Sequence, residues 1–248
     1  MNISQLSSLV KLFESNPAQL KTLLKLSTVD VLKDLGSDKY TISLDGKKMT
    51  AQSQTKLQTS QTYQAEMTLS QDKTPTLNKL VKIPHLLKML PNSKLHFTPE
   101  TLKELLSEKS PHESLKSKLL EHLPNASSKE EFQALSTMLL SLSHNTFTIP
   151  LYFQNYFSLL QLKKRYNKEK KRAQLDFYAT LELLGPISGV VLLEEGSVFV
   201  MIHVAYEKTQ EFLKKSSKEF SYPIEIELHK SIEPLFDTKI NSLLDIKI

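Results

Sequence analysis

The chain has 248 residues, 40% of them hydrophobic, enough for a sizeable core in one or two domains. Its net charge of +5, from 32 basic and 27 acidic residues, is too mild to mark a polyanion binder by itself. Cysteine is absent, which excludes disulfides, thiolate metal sites and cysteine nucleophiles, and no apolar run approaches the ~20 residues of a membrane helix. The opening MNISQLSSLVKLF lacks a basic segment followed by an apolar one, so no secretory signal peptide is expected. The expected location is cytoplasmic, with export by a route that needs no cleaved signal left open.

Residues 1–36 are predicted to be helical. Ile3, Leu6, Leu9, Val10 and Phe13 recur at 3–4 spacing, and Asn16-Pro17 reads as an N-cap followed by a first-turn proline. Leu20, Leu23, Leu24, Val31, Leu32 and Leu35 continue the stripe, with Gly36 as its C-cap. The pattern then switches to strands. Tyr40, Ile42 and Leu44 alternate, Asp45-Gly46 is a hairpin signal, Met49 and Ala51 lie on the return, and Tyr63, Ala65, Met67 and Leu69 form a third strand. Three short strands predict a small, partly open barrel leaning on flanking helices. Its polar faces carry no aromatic platform for bases, which favours a structural role.

After a polar link at 71–76, residues 77–145 are predicted as short helices punctuated by proline. Leu77, Leu80 and Val81 open one, and Leu86, Leu87 and Leu90 another that Pro91 ends. Thr98-Pro99 starts a third. Capping boxes at Ser110–Glu113 and Ser128–Glu131 precede two more. From 146 the pattern is β again: Phe147, Ile149 and Leu151, a turn at Gln154-Asn155, then a partner strand through Leu162. Lys163–Arg172 holds seven basic residues and one acid. Such a run is either an electrostatic contact or a solvated hairpin tip.

The clearest signal lies between Leu175 and Phe220. Strands are predicted at Leu175–Leu184, Gly189–Leu193 and Ser197–Ala205, with a tight turn at Glu194-Glu195-Gly196. An amphipathic helix follows through Phe212 and Leu213 to Phe220. Ile224, Ile226 and Leu228 then alternate with Glu225, Glu227 and His229 as a half-buried strand. Ser231–Ile248 is an apolar tail expected to dock.

Catalytic signatures are missing. Five glycines leave little room for a phosphate loop; no G-x-S-x-G elbow and no zincin histidine pair is present. The seven histidines are scattered. His203 and His229 fall on separate strands that sheet pairing could join, but surface or hydrogen-bonded histidines are far commoner than ligands. No catalytic residue, metal or cofactor is assigned, and a binding or assembly protein is expected.

Residues 147–229 resemble the C-terminal domain of flagellar hook-length control proteins, the substrate-specificity switches of flagellar type III export. The family pattern is roughly L-x-L-x-P-x-x-L-G-x-V-x-V, then a glycine turn, a strand, a helix and a strand. Leu181, Leu183, Gly189, Val191, Gly196, Val198, Val200 and the helix from Glu207 carry the match. Gly185 and Ser188 depart from it, and Pro186 stands one place late. Leu44–Tyr63 is similar to a small β-domain near the start of some members, with Ser60 replacing the glycine expected before Gln61.

The resemblance implies a non-enzymatic, exported protein. Its C-terminal domain would bind the cytoplasmic domain of an export-gate membrane protein, with hook or hook-cap subunits as further partners. Leu183, Pro186, Ile187, Ser188 and Gly189 are the expected partner-binding residues, with Lys168, Lys170, Lys171 and Arg172 as electrostatic contacts. No small-molecule substrate, nucleic acid or membrane insertion is expected. An unrelated cytoplasmic adaptor or scaffold, and a basic-patch nucleic-acid binder, remain as alternatives.

The expected fold class is α+β. Residues 1–70 hold helices and a small β-barrel-like domain, 71–145 a short helical bundle, 146–230 an antiparallel sheet packed by one helix, and 231–248 a tail.

Overall fold

The computed structural model describes residues 26–44, 46–53, 55–69, 75–153, 156–167, 172–194, 196–217 and 222–237. The helix starts predicted before Leu26, the turn at Gln154-Asn155, Phe220 and the apolar end beyond Asp237 lie outside them. The described chain is mixed α and β, with five α-helices and two sheets.

The first sheet contains β1 (Leu26–Gly36), β2 (Lys39–Leu44), β3 (Lys47–Gln52), β4 (Thr62–Leu69) and β5 (Pro75–Ile83), in the order β3-β2-β1-β4-β5. It is an open sheet rather than a barrel. Two predicted helices are strands here. In β1 the true period is two: Ser27, Val29 and Val31 are buried, whereas Leu32 and Leu35 are exposed. β-Branched Thr28, Val29 and Val31 outweigh the leucine spacing. Gly36 is therefore no helix cap. It opens the β1–β2 turn, where Ser37 and Asp38 both take positive φ. The run from Leu77 is likewise β5, which pairs with β4 through a bulge and holds Lys79 at φ 50°. The hairpin at Gly46 forms as predicted, with Leu44 opposite Lys47.

Four helices follow: α1 (Leu86–Met89), α2 (Pro99–Ser107), α3 (Pro111–His122) and α4 (Lys129–Ser143). Their leucines pack on Ile149 and Leu159 of the second sheet. The caps differ from the sequence reading. Ser110 makes no side-chain cap bond, and the reciprocal box forms at Thr98 and Thr101. Ser128 accepts from the Glu131 amide as expected, but the Glu131 carboxylate turns away to Lys94 and Ser127.

The second sheet orders its strands β11-β10-β9-β8-β7-β6. They are β6 (Phe147–Phe153), β7 (Tyr156–Asn167), β8 (Arg172–Leu181), β9 (Gly185–Glu194), β10 (Ser197–Val204) and β11 (Ile224–Leu228). Five strands run as an antiparallel meander. The sixth departs from the expected all-antiparallel sheet: α5 (Glu207–Ser216) carries the chain over, so β11 pairs parallel with β10. Phe212 and Leu213 of α5 cover Ile187, Val191, Val200, Ile202 and Ile226. By alternation, Tyr178, Ser188 and His203 lie on the opposite face.

The first sheet packs against this second face. Val81, Tyr178, Ala205, Tyr206 and Ile232 form the shared cluster, with Leu26 and Leu235 at its margin. The start of the predicted tail docks here: Ile232 is buried, and the Phe236 backbone exchanges two hydrogen bonds with the Gln161 side chain.

Candidate functional site

Leu183, Pro186, Ile187, Ser188 and Gly189 cluster at the β8–β9 turn and the start of β9, whereas Gly196 lies at the other end of that strand. Thr209, in the first turn of α5, donates from its hydroxyl to the Leu184 carbonyl at 2.7 Å. From the other side, Gln64 of β4 donates through its amide nitrogen to Glu182 O at 3.2 Å and Leu181 O at 3.4 Å. The turn is therefore clamped between α5 and the first sheet.

Gly185 sits at φ 81° against the ring of Tyr206, where a Cβ would lie 2.4 Å from Cε2. Gly189 is extended and hemmed in differently. A Cβ there would meet Met201 O at 2.1 Å and Phe177 Cζ at 2.7 Å. Gly196 has φ 83° in the tight β9–β10 turn, closed by Glu194 opposite Ser197, and faces open space.

These contacts decide what each expected partner-binding residue can present. Pro186, Ile187 and Gly189 are buried and shape the sheet, whereas Leu183 and Ser188 keep partial exposure. Lys168, Lys170 and Lys171 lie outside the described residues. The strands leading to that hairpin tip are well defined, with Asn167 opposite Arg172. Two of its cations have internal partners. Arg165 Nε pairs with the buried carboxylate of Asp176, which also accepts from the Gln174 amide, and Arg172 Nε lies 3.8 Å from Glu194.

The parallel return of β11 creates a second constellation. Register places His203 of β10 beside Glu227 of β11, and His229 follows two residues on, one pleat further along the same face. Glu227 Oε2 lies 3.3 Å from His229 Nε2 and 3.9 Å from His203 Nε2. The two imidazoles stack with centroids 4.0 Å apart and planes 21° from parallel. Burial and the neighbouring His229 hold the His203 pKa below its ordinary value, opposed by the Glu227 charge. The pairing of His203 with His229 follows from their strands. The third group, Glu227, reads in the sequence as part of a solvated face, because the register of a parallel return is set by its crossover and not by any local pattern.

Residues 3–78 match the family model of the TP0910 S1-like domain, under a third of the chain and covering β1 to the middle of β5. No curated protein and no solved structure matches.

Proposed function

We propose that this chain is a non-enzymatic protein-binding switch of the flagellar hook-length control type, whose 146–230 unit engages the cytoplasmic domain of an export-gate membrane protein. One observation supports the reading above the rest. Three of the residues that carry the resemblance fall at the structural joints of a single strand–turn–strand–helix–strand unit. Gly189 is where β9 passes Met201 and Phe177, Gly196 is the β9–β10 turn, and Glu207 begins the crossover helix. A short apolar pattern matched by chance has no reason to put its glycine at the one β9 position, Gly189, where a Cβ has no room. Leu183 and Ser188 near the β8–β9 turn form one proposed contact, and the basic segment at the opposite end of β8 a second.

A nucleic-acid reading would use the same basic tip, where Tyr166 is exposed. It is weaker on two counts. Arg165 and Arg172 already face Asp176 and Glu194. The tyrosines of the S1-like sheet, Tyr40 and Tyr63, are buried, their hydroxyls accepting from the backbone amides of Leu57 and Gln58, so they offer no stacking surface.

The test is direct binding of the full chain to the purified export-gate cytoplasmic domain, paired with hook measurement in a deletion strain. We expect a complex weakened by charge reversal at Lys170 and Lys171, and hooks of uncontrolled length. No complex together with normal hooks removes the proposal. Binding to single-stranded nucleic acid that falls steeply with salt moves the assignment to the second reading.

A further inference from the structure

We infer that His203, Glu227 and His229 form a binding site for one divalent transition-metal ion of the zinc class. The three ligand atoms all lie within 4.8 Å of one another. Tetrahedral zinc with bonds of about 2.0–2.2 Å separates its ligands by roughly 3.3–3.5 Å. The Glu227–His229 separation of 3.3 Å already has that value, and the Glu227–His203 separation of 3.9 Å needs a contraction of only about half an ångström. Side-chain rotation at an accessible site supplies such a movement, since the side chains are 24%, 46% and 42% exposed in the order His203, Glu227, His229.

The donor set selects the class of ion. Two imidazoles and one carboxylate suit zinc and its neighbours, whereas magnesium and calcium take oxygen ligands. Three protein ligands leave a fourth position toward solvent, open to water or to a side chain of a bound partner. The imidazoles are stacked 21° from parallel, so chelation requires the two rings to rotate until both in-plane Nε2 lone pairs meet at one point, a movement their exposure permits. Among the described residues no other group of His, Asp and Glu converges in this way.

The position gives the ion a mechanical effect. β11 has five residues and forms the edge of its sheet. A metal held by one ligand from β10 and two from the β11 segment fastens that edge. It also anchors the stretch leading to Ile232, which packs under the first sheet. The inference is independent of the export-switch reading, since it needs only the β10–β11 register.

The experiment is equilibrium dialysis of the tag-free full chain with zinc, read as metal per chain, alongside melting temperature and the visible bands of a cobalt substitute. We expect one zinc per chain, undisplaced by excess magnesium, and a melting temperature that rises with zinc and falls with chelator. Four-coordinate cobalt bands are expected as well. His203→Ala and His229→Ala should each lower affinity at least ~100-fold, and Glu227→Gln by roughly 10–100-fold. His122→Ala, at the end of a distant helix, should bind as the parent does. All four substitutions fall on partly exposed side chains, and a circular-dichroism spectrum matching the parent's identifies folded variants. Failure of the parent chain to retain zinc overturns the inference. So does equal retention by a folded His203→Ala/His229→Ala double variant.

Discussion

Among the described residues, Glu131 is the acid whose pKa is held furthest below its ordinary value. It is 1% exposed, and its carboxylate accepts from the backbone amides of Lys94 at 2.9 Å and Ser127 at 2.7 Å, and from the Ser127 hydroxyl. Those amide bonds hold its pKa down at about 2, overcoming the opposite push of burial. A depressed carboxylate pKa stabilises the fold above the unfolded value near 4.5, and that contribution disappears as pH falls toward 2. The shift corresponds to roughly 3 kcal/mol for this nearly inaccessible group. Glu131→Gln should therefore cost about 2–3 kcal/mol near neutral pH and almost nothing near pH 2, by urea denaturation of both proteins across that range. A gap independent of pH would assign the loss to shape and not to charge. Ser60 offers a test of opposite sign. It sits at φ 60°, a conformation costly for a residue with a Cβ. Ser60→Gly should stabilise by up to ~1 kcal/mol, the relieved strain exceeding the added chain entropy of glycine.

At the level of elements, the three glycines of the second sheet separate two kinds of requirement. Gly196 needs only a positive φ and has open space around it, so Gly196→Ala should cost about 1 kcal/mol. Gly189 has ordinary extended backbone but no room, with a backbone oxygen 2.1 Å from the absent Cβ. Gly189→Ala should cost more than ~3 kcal/mol or prevent folding, since β9 must part from β10. Equal losses in denaturant titrations would contradict this division. The same contrast explains what could be read from the sequence. Strong alternation in β10 and the glycine turn at 196 are local signals; β10 formed where expected, while β9 begins at Gly185, four residues before its expected start at Gly189. The helical misreadings at β1 and β5 came from leucines whose spacing fits a helix. Leu32 and Leu35 are in fact exposed, at the two register shifts of β1 against β2, in a strand whose core face is Val29 and Val31. Which of these residues face the core is a property of the assembled sheet, and no window of neighbouring residues contains it. The candidate surface was legible to the same degree. Its glycines stood out, but the burial of Pro186 and Ile187 depends on α5 and β4, distant in sequence.

Across the whole molecule, the two sheets are joined by groups that belong to neither alone. Tyr206, fully buried at the N-cap of α5, donates its hydroxyl to Gln64 O of β4 at 3.0 Å and lays its ring over Gly185. Lys79 pairs with Glu207, Lys82 with Asp237 at 2.9 Å, and Lys88 with Asp30, each linking segments far apart in sequence. These ion pairs are partly exposed and individually worth little. The apolar cluster around Tyr178, Tyr206 and Ile232 carries the coupling. The described chain should therefore unfold as one unit. Tyr206→Phe removes the buried hydroxyl's bond to Gln64 O, a loss of about 1–2 kcal/mol with the single transition kept. Tyr206→Ala also empties the ring's place between Gly185 and the first sheet, costs about 3–5 kcal/mol, and should separate the transitions of the two sheets. Hydrogen exchange resolved by residue can distinguish the two outcomes. If the amides of β1–β4 and those of β8–β10 keep a common opening free energy in Tyr206→Ala, the sheets are coupled by something other than this contact.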